Sequence, residues 1–318
     1  MRVVVLGGGS WGTVFSMLCR ERGHEVTLAC RSAEEADTIS RTGRNPRYLT
    51  SVDLAGVNAT TVAEAPIESA ELVAMAVPSR AFAEVVDALP GRCPVLVLTK
   101  GLDPASGLRL SELVHGRPVA VLSGPNHAEE IAQGLPAAAV IASADLNLAR
   151  ELQHALISPL FRVYVNNDLV GVELCAAAKN VIALAAGGVD GLELGDNAKA
   201  GLISRGLREM ARLGLAYGAK AETFSGLAGM GDLVVTCWSR YSRNRRAGEL
   251  LVRGRSAAQA EREIGMVVEG ITAAPVVRDR ARSLGIDVPI TEAVCLVLDG
   301  TSALELVSNL MAREPTTE

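Results

Sequence analysis

Through the first half of the chain, short apolar runs alternate with segments of helical pattern. Arg2–Leu6, Glu25–Cys30, Glu71–Val77, Pro94–Leu98, Val119–Leu122 and Ala138–Ala142 are compact apolar runs between turn residues. They show little of the in-out alternation of a sheet wetted on one face. Such runs mark parallel strands covered on both sides. Thr13–Arg22 has helical character and ends at Gly23. The expectation is an α/β doubly wound sheet.

The pattern changes near residue 167. Strand-like runs give way to helical ones: Leu169–Ala186, Lys199–Tyr217, Arg245–Arg253, Ala257–Ile264, Thr272–Leu284, Thr291–Leu298 and Ala303–Met311. Gly187-Gly188 and Gly285 are expected to end helices. The chain therefore divides into an α/β domain of doubly wound type, 1–166, and a mainly α-helical C-terminal domain, 167–318. The boundary is expected between Phe161 and Val170, and Glu314–Glu318 as a frayed polar tail.

Composition narrows the function classes. Apolar residues make up 49% of the 318, enough to build a core and to exclude a disordered chain. The formal charge of −5 argues against a nucleic-acid binder. Aromatics at 3% leave little for base stacking. The six cysteines have no C-x-x-C spacing and are expected as separate reduced thiols. The apolar run after Arg2 stops at Gly7-Gly8-Gly9, too short for a signal peptide. No charge-free stretch reaches the roughly 18 residues of a membrane span, because Lys179 and Asn180 interrupt the richest one. A cytoplasmic, soluble protein is expected. Asn58-Ala59-Thr60 fits a glycosylation sequon that, without secretion, is a chance match. The four histidines form no metal-ligand spacing, and no metal is inferred.

Gly7-x-Gly9-x-x-Gly12 follows the first strand and opens a helix. In that context the first glycine permits a tight turn. The second lets backbone approach a pyrophosphate, and the third lets helix and strand pack closely. Unpaired N–H groups at the helix start then face the anion. This is the Rossmann-type arrangement. At the end of the second strand, where a carboxylate would accept from a ribose 2′-hydroxyl, stands Arg31. A guanidinium cannot accept a hydrogen bond but pairs with a 2′-phosphate, which favours NADP(H) while leaving NAD(H) possible.

In the helical half, Lys179 sits inside Leu174–Ala186, a nearly all-apolar helix. A buried ammonium is costly unless it is paired, bound to an anion or put to catalytic use; the alternative is a side chain that snorkels to solvent. Asp232, between a glycine-rich turn and an apolar run, is a candidate partner, or else a helix cap. Ser239–Arg246 packs four arginines into an acidic chain, as a phosphate clamp or a solvated basic turn.

Taken together these residues resemble bacterial-type NAD(P)-dependent glycerol-3-phosphate dehydrogenases. The resemblance rests on Gly7–Thr13, Val77-Pro78-Ser79, Thr99-Lys100-Gly101, Ser123-Gly124-Pro125, Lys179-Asn180-Val181, Gly229–Thr236, Ser242–Arg245 and Val268-Glu269-Gly270, in order along nearly the whole chain. It implies reversible reduction of dihydroxyacetone phosphate to sn-glycerol 3-phosphate, for phospholipid synthesis. It also implies residue roles. Ser10, Trp11, Arg31, Ala128, Val267 and Glu269 would contact the dinucleotide, with Lys100 and Arg243 touching both cofactor and substrate. Gly124, Asn126, Asp232, Ser242 and Asn244 would hold substrate, and Lys179 would be the acid/base group. Asn126-His127 departs from the family pattern, which has a small hydroxyl residue there and often an aromatic; a packing role is expected for His127. The sequence leaves the oligomer open, with a homodimer possible through apolar helices late in the chain.

Overall fold

The computed structural model describes residues 1–311, so the expected tail at Glu314–Glu318 lies outside the described residues. The chain separates into two compact units, Met1–Glu173 and Leu174–Glu318.

The first unit holds eight strands: β1 (Arg2–Leu6), β2 (Glu25–Cys30), β3 (Asn58–Thr61), β4 (Leu72–Met75), β5 (Val95–Val97), β6 (Val119–Ser123), β7 (Ala137–Ala142) and β8 (Phe161–Asn166). Five helices go with them: α1 (Ser10–Glu21), α2 (Ala33–Thr42), α3 (Ser79–Asp87), α4 (Ala128–Ile131) and α5 (Leu146–Leu156). The sheet order is β3-β2-β1-β4-β5-β6-β7-β8, parallel throughout except between β6 and β7. From β1 the chain builds outward to β3, then returns to place β4 on the other side of β1, with Leu6 beside Ala29 and Met75. The ends of β1 and β4 thus form the switch point at which open α/β sheets bind ligands. Strands β4 and β5 are buried at every position, and β1 at all but its first. That is why they read as unbroken apolar runs.

Two strands were not foreseen. β3 is an edge strand of sequence Asn-Ala-Thr-Thr with no buried residue, so it carried no hydrophobic signal; the apparent sequon lies in it. β8 alternates buried and exposed positions, a genuine strand pattern masked by its place at the domain boundary.

The second unit is helical: α6 (Leu169–Gly191, beginning inside the first unit), α7 (Gly195–Ala216), α8 (Ala221–Ser225), α9 (Asp232–Trp238), α10 (Arg243–Val252), α11 (Ala257–Ile264), α12 (Glu269–Ser283), α13 (Pro289–Leu298) and α14 (Ala303–Met311). By length and composition α6 could cross a membrane, but 83% of its apolar window is buried within the fold, as in a core helix. The expected stop at Gly187-Gly188 is corrected, because α6 runs on to Gly191. Those glycines serve close approach instead. A Cβ at Gly187 would lie 1.8 Å from the Arg245 carbonyl oxygen, and one at Gly248 2.0 Å from that of Leu184. Backbone therefore meets backbone where α6 crosses α10. Gly285, with φ +67°, does follow the end of α12 as expected. The glycine-rich turn before Asp232 is also corrected: Leu227–Gly231 is a single π-helical turn running directly into α9.

All six cysteines are free thiols. Burial pushes Cys30 and Cys237 up to about 12, so both stay protonated near neutrality.

Candidate active site

The glycine loop sits at the switch point. Gly7 has φ +115°, and a Cβ there would lie 2.7 Å from the Ala76 carbonyl oxygen just beyond β4. At Gly12 it would lie 1.9 Å from the Gly7 carbonyl oxygen, so any side chain would drive α1 off the loop. Gly9 differs: a Cβ there meets nothing within 4 Å. It borders open space at the N-terminus of α1, whose first residue is Ser10. That turn has neither a side-chain cap nor an acidic residue. The helix dipole there favours an anion. Trp11 packs near Phe15 and Phe161, and its buried Nε1 has no hydrogen-bond partner. The open face at Gly9, the uncapped amides and this donor fit a dinucleotide. Arg31, just after β2, is exposed.

Asn45, which sequence reasoning missed, holds the loop from beneath. It is fully buried and donates to the Gly8 carbonyl (2.8 Å) and the Thr13 hydroxyl (2.9 Å). Its own oxygen accepts from the Arg47 and Tyr48 backbone N–H groups, each at 2.9 Å. No local periodicity marks such a residue.

Further along the same unit, Lys100 Nζ donates to the Gly124 carbonyl (3.0 Å) and to Asn126 Oδ1 (2.7 Å). Asn126 is buried, and its Nδ2 has no partner. With the oxygen committed to Lys100, this amide offers donors only. His127 stands at the N-cap position of α4, ahead of buried Ala128.

In the helical unit Lys179 is 4% exposed, which excludes snorkelling. Its Nζ donates to Asp232 Oδ1 at 2.6 Å and to Thr236 Oγ1 at 2.9 Å. Asp232 is the first residue of α9 and is itself buried, so it is a buried ion-pair partner rather than a cap. Thr236, one turn on, donates its hydroxyl hydrogen bond to the Asp232 backbone carbonyl, leaving its oxygen to accept from the ammonium. The sequence reading left Thr236 without a role, although the i, i+4 spacing from Asp232 on a helix would have found it.

Next to Lys179, Asn180 Oδ1 accepts from Asn244 Nδ2 at 2.9 Å, and Asn244 Oδ1 accepts from the Gly270 N–H at 2.8 Å. Asn244 is thus partly a brace, with one amide hydrogen left for a ligand. Ser242 is the N-cap of α10 and accepts from the Arg245 N–H at 3.2 Å, which leaves its own hydroxyl hydrogen to donate.

The arginine run divides. Arg245 is tied to Asp190 and Glu249, and Arg240 lies over the Tyr241 ring. They do not form a four-arginine clamp. Arg243 is exposed at the start of α10 and donates to the Val267 carbonyl at 3.0 Å. That contact brings Arg243 beside the turn that leads to Glu269, the first residue of α12.

Known proteins resemble this chain along nearly its whole length. The N-terminal model of NAD-dependent glycerol-3-phosphate dehydrogenase matches residues 2–149 and the C-terminal model residues 168–308. The chain belongs to the NAD-dependent glycerol-3-phosphate dehydrogenase family. It is 45% identical to glycerol-3-phosphate dehydrogenase (NAD(P)+) of Moorella thermoacetica, over 99% of this chain and 97% of that protein. The crystal structure of the Coxiella burnetii glycerol-3-phosphate dehydrogenase superposes with a TM-score of 0.94 at 37% identity, covering 98% of this chain and 99% of that one. A 2-dehydropantoate 2-reductase from Methylococcus capsulatus covers 99% of both chains at TM-score 0.61 and 12% identity, and shares the fold alone. The Lys179–Asp232 pair and the glycine loop therefore sit within the two halves of this dehydrogenase family.

Proposed function

We propose that the protein reduces dihydroxyacetone phosphate to sn-glycerol 3-phosphate with NADPH, or less readily NADH, and catalyses the reverse reaction, supplying glycerophospholipid synthesis. The observation that carries this reading is the buried Lys179 ammonium held by Asp232 and Thr236, in a chain of this family. In this reading residues 1–166 supply most of the nucleotide site, and residues 167–318 most of the substrate site with the acid/base group.

When bound, a reduced nicotinamide would supply the hydride that the substrate carbonyl carbon takes up. Lys179 meets the carbonyl oxygen, stabilises the negative charge that grows there and delivers a proton to it. A charge fixed in a dry helical core needs no solvent reorganisation to do this, and acts more strongly than it would in water. Asp232 holds the ammonium in place, while Thr236 fixes its direction. Ser242, Arg243 and the remaining Asn244 hydrogen bind the phosphate at the N-terminus of α10, where the helix dipole adds to the attraction. Lys100 meets both cofactor and substrate, while Gly124 and Asn126 help to hold the substrate. Gly7, Gly9, Ser10, Trp11, Gly12 and Arg31 hold the dinucleotide, together with Ala128, Val267 and Glu269. We place the protein in the cytoplasm, outside any membrane. We infer a homodimer from Leu284, Leu296 and Leu304, which lie exposed late in the chain.

The test is oxidation of NADPH and of NADH, followed by absorbance, with dihydroxyacetone phosphate and with a panel of 2-keto acids. Turnover of the phosphate ester with both nucleotides, faster with NADPH, is expected. Turnover confined to keto acids would reject the assignment. Arg243→Ala should raise the KM for dihydroxyacetone phosphate roughly ten- to hundredfold, the loss of one or two charge-assisted hydrogen bonds. An unchanged KM would remove Arg243 from the phosphate site.

A further inference from the structure

The corner where β2 ends carries more charge than Arg31 alone. Glu35, in the first turn of α2, is half-buried. A Cβ at Gly8 would lie 3.1 Å from its Oε1 and 3.2 Å from the Cys30 sulfur. The carboxylate therefore lies against the glycine loop at the last residue of β2. A Rossmann-type unit puts its ribose-binding acid at this place. The chain has Arg31 at the usual position and brings a carboxylate in from α2 instead. The Asn45 bonds pin residues 45–48 to the same loop, and with them Arg47. The charges of both Arg31 and Arg47 reach the Glu35 carboxyl and draw its pKa down, against the stronger upward push of burial.

We propose that three charges read the adenosine ribose of the cofactor: Arg31 and Arg47 pair with the 2′-phosphate of NADP, and Glu35 accepts from the 2′-hydroxyl of NAD. The proposal rests on the dinucleotide site assigned above. It gives a physical account of dual cofactor use. Two guanidiniums outweigh one carboxylate when a 2′-phosphate is present, since phosphate takes paired arginines well. When only a hydroxyl is present, the arginines have no anion to bind, and the carboxylate supplies the acceptor they lack.

The experiment measures dissociation constants for NADPH and NADH without substrate, by fluorescence titration of wild-type protein and variants. Arg47→Ala should weaken NADPH about tenfold, one charge-assisted contact, and leave NADH within about twofold. Arg47→Lys should recover part of the loss, as a point charge without the guanidinium fork. Glu35→Gln should weaken NADH several-fold and tighten NADPH, since a repelling charge has gone. NADPH and NADH weakened equally by Arg47→Ala would mean that Arg47 only supports the loop, and would overturn its role. NADH binding unchanged in Glu35→Gln would overturn that of Glu35. Wild-type protein that binds neither nucleotide would instead sink the dinucleotide site itself.

Discussion

Lys179→Met is expected to lower kcat by about a thousandfold or more, the span of a lost general acid together with its charge. Affinity for NADPH should change little, because the glycine loop and the Arg31 corner do not involve this side chain. The variant also leaves the Asp232 carboxylate buried without its ammonium. Breaking a buried pair from one side costs about 3–5 kcal/mol, so a fall in melting temperature should accompany the loss of activity. A second variant separates the two effects. Lys179→Met combined with Asp232→Asn removes both charges, and should recover much of the stability but none of the turnover. Parallel measurement of kcat, NADPH affinity and thermal unfolding decides the matter. Wild-type-like kcat in the single variant would end the acid/base assignment. Activity restored along with stability in the double variant would show that the lysine serves the fold alone.

Gly248→Ala should destabilise the protein by about 2–3 kcal/mol, near the upper end for one methyl forced into a packed core. The new Cβ would stand 2.0 Å from the Leu184 carbonyl oxygen, and backbone cannot step aside as the tip of a flexible side chain can. The two helices must separate. Their separation would strain the Asn180–Asn244 bond that joins them at 2.9 Å. The substrate KM should therefore rise along with the loss of stability, although Gly248 touches no ligand. Thermal unfolding and steady-state kinetics on one preparation check both. A melting temperature indistinguishable from wild type would show that α6 and α10 are not held by backbone contact.

Much of this molecule was open to a reader of the chain. The doubly wound sheet showed itself because burial on both faces leaves strands such as Leu72–Met75 with no polar position to interrupt them. The glycine loop was legible because only glycine satisfies the steric demands at Gly7 and Gly12, and those demands recur at fixed spacing. Lys179 stood out as a charge in a greasy helix, and a charge in such a place has few ways to be satisfied. Edge strand β3 was hidden, since an edge needs no apolar face. The glycines of α6 misled, because a glycine that ends a helix and one that lets another backbone approach are the same letter.

Local pattern, composition and motif order thus determined the fold class, the dinucleotide loop, the unusual lysine and the family. Tertiary structure alone decided which polar groups meet. It paired Lys179 with Asp232 and Thr236, both far along the chain. It withdrew Arg245 from the phosphate clamp to bind Asp190 and Glu249. It also laid Glu35 beside Gly8 and used Asn45 to anchor the segment that carries Arg47. The reason is physical. Periodicity records which face of an element is buried, whereas a hydrogen bond between distant residues depends on how those faces are brought together, and no single segment carries that information.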